Sequence, residues 1–98
     1  MRLENAKISI AVELHDDLRH RHIEAFMAAK RELDGTNAVR LSSPEHNGNI
    51  VRAALRCGII TEAPFTVEQV GDLTPPAVRW LGKELDAYLA KVLEISPK

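Results

Sequence analysis

The sequence predicts a mainly α protein: a small bundle of three to four helices with a short N-terminal β-strand that can pair with a second short strand. Three observations lead there. Apolar residues recur every three or four positions along most of the chain. Serine, threonine and proline stand where helices should begin, and glycine where they should end. A period of two, the mark of a strand, is clear only near the N-terminus. The 98 residues suit one small domain, 1–98, with no internal repeat and no long linker.

Residues 6–14, AKISIAVEL, place Ala6, Ile8, Ile10, Val12 and Leu14 on one face and are predicted as a strand. A lone strand leaves its backbone groups unpaired. Residues 37–42, NAVRLS, alternate through Val39 and Leu41 and are the expected strand or extended partner. Otherwise the partner comes from another molecule. From His15 the period lengthens. Leu14, Leu18, His22, Phe26, Ala29 and Leu33 follow helical spacing, which predicts a helix over 15–34. Asp16 and Asp17 then fall in its first turn, where the helix dipole favours carboxylates, and Gly35 ends it.

A second helix is predicted over 44–57. Ser43 can cap it, Pro44 suits its first position and Gly58 closes it. Gly48 and the asparagines Asn47 and Asn49 weaken its first half, so firm helix is expected only from near Asn47. The stretch IITEAPF reads as a connector whose Ile59, Ile60 and Phe65 cover the core. Thr66 and Gln69 have the spacing of a capping box, which opens a short helix over 67–72.

The last helix is predicted over 75–95. Thr74 precedes two prolines, and a helix does not need backbone donors at its first positions. Val78, Leu81, Leu85, Tyr88, Val92 and Ile95 then recur at helical spacing, while Arg79, Lys83, Asp86 and Glu94 line the other side. A polyproline ligand would instead carry spaced prolines in an open segment. Trp80 lies off the centre of the stripe. It either packs with Phe65 or stands partly exposed as an anchor for a partner, and the sequence favours packing.

The stretch HDDLRHRH at 15–22 gathers three histidines and two aspartates, the types that ligate metals. No His pair in it has i,i+4 spacing and no HExxH is present, so the expected role is a solvated helix face. Cys57 falls at the C-terminal end of a helix, where the dipole disfavours a thiolate, and is expected to be a core residue. It cannot form an internal disulfide, which suits a reducing cytoplasm. No GxSxG or GxxxxGK[ST] motif occurs. No enzyme activity, catalytic residue, metal or cofactor is therefore expected. The net charge of −1 speaks against a general nucleic-acid binder, although Arg40, Arg52 and Arg56 could form a local patch. No apolar run approaches the roughly 18 residues of a membrane span, and no signal peptide is expected at the N-terminus.

From Ile50 to Lys98 the chain resembles small proteins encoded in the tail-gene region of long-tailed bacteriophages and prophages, the tail assembly chaperones. The resemblance rests on VRAALRCGIITE, VGDLTPPAVRWL and the helix ending near EISPK. It implies a non-enzymatic protein in the bacterial host cytoplasm that holds a tape-measure or other tail protein soluble during assembly, with homo-oligomers also open. Ile8, Ile10, Val12, Phe65 and Trp80 are the expected partner-binding residues, the first three on an exposed strand edge. Two alternatives stay open: a structural virion component of the tail or head–tail connector, and a small nucleic-acid-binding regulator.

Overall fold

The computed structural model describes residues 1–35 and 43–93. Among them the order is β1 (Arg2–Asn5), β2 (Ile10–Leu14), α1 (His20–Asp34), α2 (Pro44–Cys57), β3 (Ile60–Glu62) and α3 (Pro75–Leu93). Two short 3-10 turns, Ala6–Ile8 and Glu68–Asp72, join β1 to β2 and lead into α3. Over the described residues the fold is mainly helical, with three α-helices and one three-stranded antiparallel sheet in the order β1-β2-β3.

The predicted strand over 6–14 is two structures. Asn5 Oδ1 accepts the Lys7 N–H at 3.0 Å and so caps a 3-10 turn. Ser9 then turns left-handed, at φ 52°, and reverses the chain. Residues 10–14 return alongside Arg2–Asn5, with Leu3 opposite Val12 and Asn5 opposite Ile10. The partner of β2 is therefore the chain's own first residues on one side and β3 on the other. The expected partner at 37–42 lies outside the described residues. The IITEAPF connector supplies β3, whose register with β2 shifts between Glu13 and Leu14.

The predicted helix over 15–34 begins only at His20. The sheet claims the preceding residues: Leu14 N–H donates to Met1 O and His15 N–H to Ile59 O at 2.8 Å. Asp16 and Asp17 consequently precede the helix. Its start is fixed by an unusual cap, the Arg19 N–H donating to His22 Nδ1 at 2.9 Å. Tyr88 of α3 secures the same loop by donating its hydroxyl to the His15 carbonyl at 2.9 Å.

The helix α2 has the predicted bounds 44–57 and is regular from Pro44, where firm helix was expected only from Asn47. Ser43 Oγ accepts the His46 N–H at 3.0 Å, and Gly58 closes the helix at φ 84°. Its small residues explain its central place. Gly48, Ala53 and Ala54 are buried and let α1 and α3 pack closely on either side. The capping box at Thr66 and Gln69 forms in both directions, at 3.0 and 3.3 Å. It opens a 3-10 turn over Glu68–Asp72 in place of the short helix predicted over 67–72.

The last helix starts at Pro75, as predicted, and is described to Leu93. Its buried line is Ala77, Leu81, Gly82, Leu85 and Leu89, rotated from the predicted stripe. Val78 and Tyr88 sit at the margin, and Val92 is exposed. One core joins this line to Val12 and Leu14 of the sheet, Ile23 of α1 and Val51 of α2.

Candidate functional site

The five predicted partner-binding residues are scattered. Ile10 and Val12 face the core at 6% and 2% exposure, and β2 is the paired central strand, so the exposed edge expected there does not exist. Ile8 is half-buried in the 3-10 turn. Phe65 is buried in the core. Val12 borders a small concavity beside β3, and Trp80 lines a larger one. Trp80 packs one side against the core and presents the other to an open groove.

That groove has a volume of about 990 Å³ and opens between the first halves of α2 and α3. Its apolar part comes from Leu73, Val78 and Trp80 with the prolines that start both helices, Pro44 and Pro75. Its charged part comes from Arg52, Arg79 and Lys83, with Glu45 at one side. Each position follows from local sequence. Proline suits the first position of each helix, and Pro44 and Pro75 both line the groove, so both N-terminal dipole ends add positive potential there. Trp80, Lys83 and Arg79 lie within four residues of one another on α3, on the flank of its buried line.

Arg52 is positioned through a relay. The Lys30 ammonium donates to Asp34 Oδ2 at 2.6 Å, across one turn of α1. The Asn49 amide donates to Asp34 Oδ1 at 2.8 Å, joining α1 to α2. Asn49 Oδ1 in turn accepts from Arg52 Nη1 at 3.2 Å. Asn49 is buried at 4% exposure, so its amide must be satisfied on both sides. Burial pushes the Asp34 carboxyl up, but the Lys30 and Asn49 bonds outweigh it and hold the group below its ordinary range. The Arg52 guanidinium lies over two glycines. A β-carbon at Gly48 would stand 3.2 Å from Nη1, and one at Gly71 3.7 Å from Nη2.

The remaining candidates fall elsewhere. His15 and His22 pack with tilted rings whose centroids are 4.7 Å apart, and each uses Nδ1 to accept a backbone N–H, from Asp17 and Arg19. Both rings thus serve the entry to α1. Among the described residues no group of three or more His, Cys, Asp or Glu side chains could hold a metal ion. Cys57 is half-buried, its thiol donates to the Ala54 carbonyl at 3.6 Å, and burial pushes its pKa up. Arg52 and Arg56 do not act as one patch. Arg56 donates to Glu32 of α1 at 2.9 Å, while Arg52 turns into the groove; Arg40 lies outside the described residues. No described helix is long and apolar enough to cross a membrane.

Sequence reasoning assigned Arg79 and Lys83 to a solvated face and missed their place beside Trp80. The available signal was their spacing from the tryptophan on a helix whose stripe runs one step away. No protein-family model, curated protein or solved structure matches this chain.

Proposed function

We propose that this chain is a non-enzymatic holding protein of the tail-assembly-chaperone kind, binding a tape-measure or other tail protein through the groove between α2 and α3. The observation that carries the proposal is the groove itself: an open apolar trough with a half-exposed tryptophan beside three cations. Tryptophan is a frequent anchor in protein interfaces because it buries a large rigid surface at low entropic cost. The segment that carries the resemblance to phage tail proteins, VGDLTPPAVRWL, builds one wall of this groove. An apolar trough of this kind suits an amphipathic client whose exposed stripe would otherwise aggregate. The host cytoplasm is the compartment where such a client is made, and self-association around it belongs to the same proposal.

Co-expression with the tape-measure protein of the same tail-gene region tests it. The expected result is a soluble complex that co-elutes on size exclusion, together with mature particles that lack this chain. A tape-measure protein equally insoluble with and without it would overturn the proposal. So would finding the chain as a fixed component of purified particles, which belongs to a structural virion protein.

A further inference from the structure

We infer that the groove selects an acidic amphipathic segment of its protein partner, with carboxylates set on Arg52, Arg79 and Lys83 and an apolar side chain laid against Trp80. The inference deepens the protein-binding role proposed above and rests on it.

Charge carries it. The chain as a whole has a net charge of −1, yet the groove gathers three cations against the single carboxylate of Glu45. Elsewhere Arg2, Arg19, Lys30 and Arg56 each reach a carboxylate of the chain. Arg52, Arg79 and Lys83 form no ion pair among the described residues. Arg79 and Lys83 are exposed, as Lys7, Arg21 and Lys91 are, but with the half-buried Arg52 they share one concavity with a tryptophan. Arg52, half-buried against the apolar wall, gains more from an anion than a cation on open surface does, because the local dielectric is lower.

Arg52 is the most specific of the three. It is half-buried, the Asp34–Asn49 relay holds its guanidinium through Nη1, and its side chain lines the groove. A held guanidinium can take a carboxylate through two parallel bonds without further loss of side-chain freedom. Gly48 and Gly71 leave the room in which it lies. Trp80 and Val78 then offer the apolar surface one turn away on α3. This pattern matches a partner with carboxylates flanking an apolar stripe. A nucleic acid would bring phosphates without that stripe and would meet a chain of net negative charge.

Trp80 is the chain's single tryptophan, so its fluorescence reports on the groove alone. The probe is an amphipathic peptide of leucine and glutamate at helical spacing, titrated into the full chain at low salt. The expected result is a saturable blue shift of Trp80 emission, absent with a leucine–lysine peptide of the same length. Arg52→Gln and the pair Arg79→Gln, Lys83→Gln should each weaken binding by about tenfold or more. The melting of the exposed Arg79, Lys83 pair should stay close to wild type, which separates lost binding from lost fold; Arg52→Gln also loses its bond to the buried Asn49 amide, and its far-UV circular dichroism checks that it still folds. The inference is overturned by any of three results: an equal response to the lysine peptide, a shift on concentrating the chain without peptide, or tighter binding of a single-stranded oligonucleotide than of the acidic peptide. Co-elution with the tape-measure protein and no acidic-peptide response would remove this inference alone. The reverse pair of results would remove the tail-chaperone proposal and keep the groove's chemistry.

Discussion

Gly82 of α3 lies directly on Asn47 of α2: a β-carbon at Gly82 would stand 2.5 Å from the Asn47 Oδ1 and 2.7 Å from its Cβ. This contact sets how closely the two helices cross beside the groove. Gly82→Ala would gain helix propensity of about 1 kcal/mol. The clash includes a β-carbon, which cannot swing aside, so the helices must separate at a cost of about 1–3 kcal/mol. The expected net result is a less stable protein by urea unfolding. Asn47→Ala keeps the offending β-carbon and should not rescue it.

The buried line of α3 gives a second test. Leu85 is fully buried, and Leu85→Ala should cost about 2–5 kcal/mol. Lys83, two residues away, is exposed, and Lys83→Ala should change stability by less than about 0.5 kcal/mol. Similar losses in chemical denaturation would contradict the assigned face.

Ser9 distinguishes a hairpin from a continuous strand. Its left-handed backbone disfavours a β-branched side chain, so Ser9→Val should destabilise by about 1–2 kcal/mol. Ser9→Gly should be neutral or stabilising. A continuous strand over 6–14 would reverse the order, because valine is the better strand former. Melting temperatures of the two variants decide it.

The Asp34 relay predicts a pH dependence. Its carboxyl is held below the ordinary value of 3.8 in the folded chain. A depressed folded pKa binds fewer protons than the unfolded chain does, so the contribution to stability is present above about pH 4 and is lost as pH falls through the lower folded value. The stability gap between wild type and Asp34→Asn should therefore be open near pH 6 and close in stronger acid. Urea midpoints across that range measure it. A gap that widens on acidification would contradict the relay.

Helix ends with strong local chemistry were legible in the sequence. Ser43 with Pro44 and Gly58 bounded α2, Thr74 with Pro75 started α3, and Thr66 with Gln69 marked the 3-10 turn. The N-terminal third was harder for a definite reason. Leu14 fits both the two-residue period of β2 and the helical stripe that follows, so periodicity could not locate the boundary. The alternation of Ala6, Ile8 and Ile10 runs straight through a turn, because a capped 3-10 turn and a left-handed serine leave no mark on hydrophobic spacing. Asn5 was the available signal, since asparagine side chains commonly form such turns. His22 as a cap was illegible, because the usual capping residues are Ser, Thr, Asp and Asn. The groove was half legible: Trp80 was named as a candidate partner-binding residue although packing was favoured for it, and Arg79 and Lys83 follow from their spacing to it on α3, but Arg52 reaches it only through the packing of α2 on α3.

The central claim is that partner binding is centred on the groove between α2 and α3. Amide chemical-shift mapping tests it most directly, with a soluble tape-measure fragment titrated into the labelled chain. The expected shifts form one patch over residues 44–52 and 70–83, and Arg52→Gln weakens them. Shifts centred on the edge of β1 or the outer face of α1, with the Trp80 region unchanged, would contradict the claim.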